Sequence, residues 1–491
     1  MADITDLRSA LNFLSRSDNS LLECSREVDP HAELAGVYRY IGAAGTVPRP
    51  TRRGPAMLFS NIKGFPDARI AIGLFGDRRR VGELLGIDPS RLGFRLRECV
   101  NAPIPPAEVP SDEAPCHEVV HRADEPGFDL RTLVPAPTNT ALDGGPYITM
   151  GLCYATHPDT GASDVTIHRL CVQGQDSLSI FFTPGSRHIG AMAERASELG
   201  QPLPISISIG VDPAIPLASC FEPPTTPQGF DELGIAGALR GRAVELTPCI
   251  TIAERAIAHA EYVIEGEIQP GVTVAEDAST GTGYAMPEFP GYLGEASPDC
   301  SVIKVKAVTH RRHPIMQTVI GPSEEHVNLV GIPTEASIID LVERAMPGRL
   351  VNVYAHPSGG GKYLAILQIR KRVESDEGRQ RQAALLAFSA FPELKHVILV
   401  DEDVDLFDTN DVLWALNTRY QGDIDTIFLP GLRCHPLDPT QSPEYSNRLR
   451  AEGTSCKTIF DCTVPFRLKE RFKRASFMEL DPADYVDGFR P

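Results

Sequence analysis

The sequence predicts a mixed α/β (α+β) protein with a strand-rich centre. Two observations carry that expectation. Helix-like and strand-like periodicities alternate over roughly the first ninety residues and again after residue 325. Between them, from Tyr147 onward, short β-branched runs punctuated by turn residues succeed one another with few helices, which suggests a large sheet or split barrel. A chain of 491 residues exceeds one ordinary core, so it divides into 1–125 with a Pro-rich connection, a central 126–325, and 326–491.

Composition narrows the class. Apolar residues make up 42% and charged residues 23%, with abundant Gly and Pro, as expected of a soluble protein with many turns. No apolar run is long enough to span a bilayer, and Met1 to Ser15 mixes Asp and Arg into its apolar residues, unlike a secretory signal. Eleven scattered cysteines without a C-x-x-C pair argue for a reducing cytoplasm rather than disulfides or structural zinc. A net charge of −18 disfavours nucleic acid and anionic membranes as partners, so any anionic ligand needs a local basic cluster.

In chain order, Asp6 to Leu14 reads as a helix with Leu7, Leu11 and Leu14 on one side. Leu21 to Val28 reads as a strand, and Asp29-Pro30 opens a helix. Ala56 to Ser60 and Arg69 to Phe75 are strands, and Asp77 caps a helix closed by Gly86. Ala102 to Thr140 is a Pro-rich connection or an arm over a neighbour. Strands are expected at Tyr147 to Tyr154, Asp164 to Gln173, Leu178 to Phe182, Ile205 to Gly210, Glu261 to Ile268 and Val302 to Thr309. Thr334 is expected to cap a helix carrying Ile338, Leu341 and Val342, and strands and helices alternate from there to Leu429. The charged segment Pro465 to Phe477 is expected as an appended helix.

Four places collect groups that a plain core does not need. In the strand around Asp164 to Arg169, successive side chains alternate faces, so Arg169 falls beside Val165 and Ile167. Either it reaches solvent at a strand end, or it is held by an anionic ligand or carboxylates. Arg187-His188 precedes a helix, where anions are favoured. Ser219 to Pro224 is followed by Asp231-Glu232. Glu232 suits a helix start, or else joins Asp164 and His188 in an O/N/O set fit for Mg²⁺ or Mn²⁺. Glu288 lies among Met286, Pro287 and Phe289, where an apolar setting favours a protonated carboxyl. Two other motifs fail: Ser358 to Lys362 lacks the Walker spacing, and Asp401 to Asp405 lacks the Gly and Glu of a calcium loop.

With these residues in view, the chain resembles the UbiD family of prenylated-flavin-dependent decarboxylases, on the protocatechuate and gallate branch. The resemblance rests on Asp164–Val172 (DVTIHRLCV), Ser219–Pro227 (SCFEPPTTP), Met286–Tyr292 (MPEFPGY) and Ser455–Val464 (SCKTIFDCTV). It implies an N-terminal α/β domain, a central flavin-binding split barrel, and a C-terminal α/β domain with an oligomerisation helix. It implies prenylated FMN held with Mn²⁺ or Mg²⁺ and K⁺. Asp164, His188 and Glu232 match the divalent ligands. Ser219, Glu232 and the backbone near Val165, Ala218 and Phe221 match the potassium site. Thr166, Ile167, His168, Arg169, Arg187, His188, Ser219, Cys220, Glu232 and Lys457 match cofactor-binding positions, with Lys457 reaching the phosphate.

Arg169 matches the network arginine and Glu288 the proton donor, with Glu295 as the second acid despite altered spacing. His326 and Lys362 match positions facing the substrate ring. The implied activity is reversible non-oxidative decarboxylation of a hydroxylated aromatic acid through a covalent adduct with the cofactor. The best guess for that acid is 3,4-dihydroxybenzoate, giving catechol, or a relative such as gallate. A flavin prenyltransferase would supply the cofactor, and the assembly would be a homodimer or homohexamer. Rival readings are a heteroaromatic or acrylic acid decarboxylase, a metal-dependent hydrolase using Asp164, His188 and Glu232, and a non-catalytic flavin-binding subunit.

Overall fold

A computed structural model describes residues 4–182, 188–445 and 453–487. Its centre is a closed six-stranded antiparallel barrel. Tyr262–Val274 pairs with Leu203–Ile209, then Tyr147–Thr156, Ser163–Val172, Ser177–Ile180 and Cys300–His310, which returns to Tyr262–Val274. Closure removes exposed strand edges and leaves both faces of each strand covered. That is why Ser163–Val172 is buried on both faces rather than in strict alternation.

Before the barrel, Leu21–Cys24, Ala56–Phe59 and Arg69–Ile72 form a sheet completed by Ile315–Thr318, a strand that follows the barrel in sequence. Leu7–Leu14 packs nearby, its start closed by the Asp6 carboxylate accepting from the Ser9 N–H at 2.8 Å. Asp77 caps Arg78–Leu85, and Gly86 ends it at φ +67°, a conformation glycine reaches without steric penalty. The C-terminal sheet orders Leu350–Ala355, Leu364–Ile369, His396–Asp401, Thr454–Cys462 and Thr426–Arg433, with two parallel pairs at its centre. No described helix is long and apolar enough to cross a membrane.

Four expectations change. The helix opened by Asp29-Pro30 begins only at Glu33, with Ala32 in a left-handed conformation before it. The Pro-rich connection lies as an arm with strands of its own: Ala107–Glu108 joins a separate three-stranded sheet beside Glu245–Pro248, and Val119–Arg122 extends the barrel wall beside Cys300–His310. The helix expected to start at Thr334 runs from Glu324 to Ala345, straight through Pro333. It is buried on most sides between the other layers, so packing outweighs the lost hydrogen bond of the proline. The segment Pro465 to Phe477, expected as an appended helix, is a 3₁₀ run, Phe466–Phe472, followed by exposed chain. Propensity alone does not hold a short helix in water.

Candidate active site

Asp164, His188 and Glu232 come from a barrel strand and the starts of two helices, yet their ligand atoms all lie within 4.8 Å of one another. His188 Nδ1 is 3.0 Å from Asp164 Oδ1, and the Thr166 hydroxyl donates to Asp164 Oδ2 at 2.9 Å. Asp164 is 4% exposed and Glu232 2%. Burial, then the nearby Asp164, pushes the Glu232 carboxyl well above its ordinary range. Its Oε2 is buried without a hydrogen-bond partner. Two converging carboxylates and an imidazole, one oxygen orphaned, are a donor set that a hard divalent cation completes. The Ser219 hydroxyl gives its proton to the Pro216 carbonyl at 2.9 Å, which leaves its lone pairs to accept from a ligand. Val165, Ala218 and Phe221 are buried beside it.

The opposite face of the same strand carries Arg169. Its register partner region is irregular: Gly151 pairs with His168 and Ile148 with Leu170, so Thr149 and Met150 bulge opposite the arginine. Arg169 Nη2 donates to Glu276 Oε2 at 2.8 Å, and Nη1 donates to Glu288 Oε1. The Phe181 ring lies 4.4 Å from the guanidinium carbon. Burial alone would lower the Arg169 pKa, but the carboxylates of Glu288 and Glu276 reverse this and raise it. The carboxylate-held arginine, one of two readings left open by the strand pattern, is therefore the observed one.

Glu276, which the sequence reading did not single out, completes this network. It is 1% exposed and also accepts from the Tyr147 hydroxyl at 3.2 Å and the Ser297 N–H at 3.1 Å. The second acid expected there, Glu295, is exposed on the hairpin strand Leu293–Glu295. Nothing local in Ala275-Glu276-Asp277 marks the residue; only chain closure brings it to Arg169.

Glu288 is placed by that hairpin. Its N–H donates to the Tyr292 carbonyl at 2.8 Å, and Gly291 turns the chain at φ +95°. A Cβ on Gly294 would stand 2.9 Å from Glu288 Cγ, so glycine there lets the side chain lie against the hairpin. The Thr46 hydroxyl donates to the Phe289 carbonyl at 2.6 Å, tying the N-terminal domain to the loop.

Arg169 and Glu288 open into a cavity of about 330 Å³, walled by Ile167, His168, Cys220, Met286, Phe289, His326 and Lys362 among others. That volume is in the range of a site for one small ligand. His326 stacks on Phe289 with centroids 5.8 Å apart. Burial, then Lys362, lowers its pKa to about 3, so it is a neutral imidazole, and its Nε2 has no hydrogen-bond partner.

Lys457, expected to reach the cofactor phosphate, donates its Nζ hydrogens to the carbonyls of Pro392, at 2.6 Å, and Leu394. Burial lowers its pKa to about 8. Arg187 lies outside the described residues.

Comparison with known proteins follows this geometry. The chain matches the three domains of 3-octaprenyl-4-hydroxybenzoate carboxy-lyase: the N-terminal domain over residues 13–100, the Rift-related domain over 107–324 and the C-terminal domain over 327–462. It is 56% identical over 476 residues to gallate decarboxylase of Lactiplantibacillus plantarum, covering 97% of each chain. Its fold matches the apo structure of a 3,4-dihydroxybenzoic acid decarboxylase from Enterobacter cloacae with a TM-score of 0.94 and 57% identity, over 98% of this chain and 99% of that one. It also matches an evolved dimeric form of the UbiD-class enzyme HmfF from Pelotomaculum thermopropionicum in complex with prFMN, with a TM-score of 0.83 and 34% identity, over 98% of this chain and 100% of that one. With all three domains in order and near-complete coverage, the chain belongs to the UbiD family of carboxy-lyases.

Proposed function

We propose that the protein decarboxylates a hydroxylated aromatic acid, 3,4-dihydroxybenzoate or a close relative such as gallate, using prenylated FMN. The observation that carries this is the Glu276–Arg169–Glu288 network facing a small cavity, with a cation-binding set on the other side of the same strand. Names of relatives that act on gallate and 3,4-dihydroxybenzoate support the substrate class. When bound, prenylated FMN supplies an electron sink for the pair left behind as CO₂ departs.

The chain's own residues do the rest. Asp164, His188 and Glu232 would hold Mn²⁺ or Mg²⁺, which would supply positive charge for an anionic cofactor, and Ser219 and Glu232 would take K⁺. Glu288 delivers a proton to the ring carbon that lost the carboxylate. Glu288, not Glu276, is placed to carry that proton. Among the described residues, Glu276 is tied by Arg169, Tyr147 and Ser297. Glu288 accepts from one N–H of Arg169 and lines the cavity. Arg169 thereby orients the acid and receives it back as a carboxylate after transfer. The walls of Met286 and Phe289 limit water around Glu288.

The test is protein co-expressed with a flavin prenyltransferase, supplied with metal and assayed for CO₂ release from phenolic acids. Glu288→Gln should retain flavin by absorbance and mass while turnover drops by at least about 10²-fold. Unchanged turnover would refute the assignment. Glu232→Gln should lose bound divalent metal, and with it flavin; full metal content in that variant would remove the ligand set.

A further inference from the structure

The N-terminal domain holds a surface pocket that the reaction above does not use. It encloses about 450 Å³, and Arg52, Arg53, Arg79 and Arg80 line it against one carboxylate, Asp77. Four guanidinium groups in one place stand out in a chain whose net charge is −18. Like charges repel, so such a cluster is unfavourable unless other groups offset it. The offsets present are partial. Arg53 donates to Glu324 at 2.8 Å, and Arg79 lies 3.7 Å from Glu83 on an exposed helix face. Asp77 Oδ1 accepts from the Arg79 N–H at 2.8 Å as a helix cap. Arg52 is exposed and has no partner among the described residues.

Arg80 is the buried member of the four, 5% exposed. Its Nη1 donates to the Gly73 carbonyl and its Nη2 to the Gly54 carbonyl, both at 2.5 Å. Neither acceptor carries a full charge, and among the described residues no carboxylate pairs with Arg80. A buried cation met only by carbonyls keeps its charge unmatched, which is costly. Burial accordingly lowers its pKa. Both acceptors are fixed in place. Gly73 turns the chain at φ +87°, and its N–H donates to the buried Glu325 carboxylate at 2.6 Å. A Cβ on Gly54 would overlap the Ile41 carbonyl oxygen, so only glycine fits there. The Arg80 guanidinium is thus anchored at the pocket wall before any ligand arrives.

We propose that this pocket binds a phosphorylated small molecule through its phosphate groups. Guanidinium forks match phosphate oxygens two at a time and stay charged at any physiological pH. Four of them exceed what one carboxylate neutralises, so the ligand that fits carries at least two negative charges. The volume is larger than inorganic phosphate fills and leaves room for an organic part beside Leu22 and Pro55. No residue lining this pocket also lines the catalytic cavity, so its ligand is distinct from the substrate.

Calorimetry on the flavin- and metal-loaded holoenzyme tests this, with inorganic pyrophosphate as the probe and chloride buffer of equal ionic strength as the reference. Wild type should show saturable binding, and pyrophosphate should raise its Tm. The double variant Arg52→Ser/Arg79→Ser, changed at two exposed positions, should bind at least about tenfold more weakly, with CO₂ release, flavin content and ligand-free Tm unchanged. Arg80→Met keeps the apolar stem without the charge and should lose binding as well; where it folds poorly, the double variant decides. No saturable binding in wild type overturns the proposal, as does equal affinity in the double variant. Binding seen only in flavin-free protein places the probe at the cofactor site and overturns it too.

Discussion

At the scale of single residues, the site turns on one cation shared by two unequal carboxylates. Among the described residues, Glu276 accepts from Arg169, Tyr147 and Ser297, and Glu288 accepts from Arg169 and lines the cavity. Replacing Glu276 by Gln removes one of the two carboxylates that hold the buried guanidinium and disturbs how Arg169 orients Glu288. We expect turnover to fall by about 10²-fold with flavin content unchanged, read by CO₂ release and cofactor absorbance. Glu295→Gln, on an exposed strand, should stay within about twofold of wild type in the same assay. Equal losses in both variants would restore Glu295 to the network.

At the scale of elements, the hairpin bearing Glu288 depends on a tight partner from the C-terminal domain. Gly360 sits at φ +62° after the 3₁₀ turn Pro357–Gly359, and a Cβ there would overlap the Phe289 ring. Alanine is strained by the backbone and blocked by the ring together. Gly360→Ala should lower stability by about 2–3 kcal/mol and displace Phe289, so a drop in Tm and a higher KM should appear together. A variant with native Tm and KM would show that the loop and ring move apart freely. The helix Glu324–Ala345 is the other element on which the site depends, since its first turn places His326 in the cavity.

At the scale of the whole molecule, that helix joins the three layers. Arg78 pairs twice with Glu335, at 2.8 and 2.7 Å, and Glu335 also accepts from the Ala355 N–H of the C-terminal sheet. Glu325 accepts from the Gly73 and Phe75 N–H groups of the N-terminal domain, at 2.6 and 3.2 Å. Burial pushes the Glu325 carboxyl up to about 7 from 4.5, against the pull of those N–H groups. The folded state therefore holds this proton more tightly than the unfolded chain does. The stabilising contribution is full below about pH 4.5 and is lost as pH rises through about 7. Urea unfolding should show wild type losing on the order of 2–3 kcal/mol relative to Glu325→Gln between pH 5 and 8. A pH-independent difference would mean that Glu325 is ionised throughout.

The sequence by itself determined the layer pattern and half of the site. Alternating periods mark the α/β ends, because burying one face leaves a fixed spacing of apolar residues at any location in a fold. The strand DVTIHRLCV shows that Arg169 shares a face with apolar neighbours, and the apolar flanks of Glu288 mark an unusual carboxyl. What spacing could not decide was which distant groups meet. Barrel closure brings Glu276 to Arg169, and it joins Asp164, His188 and Glu232 into one pocket. The C-terminal domain delivers Lys362 to a cavity built by another domain, and burial lets the long helix run through Pro333. Only the tertiary structure fixes these, since they depend on long-range contacts whose energy outweighs every local preference written in the chain.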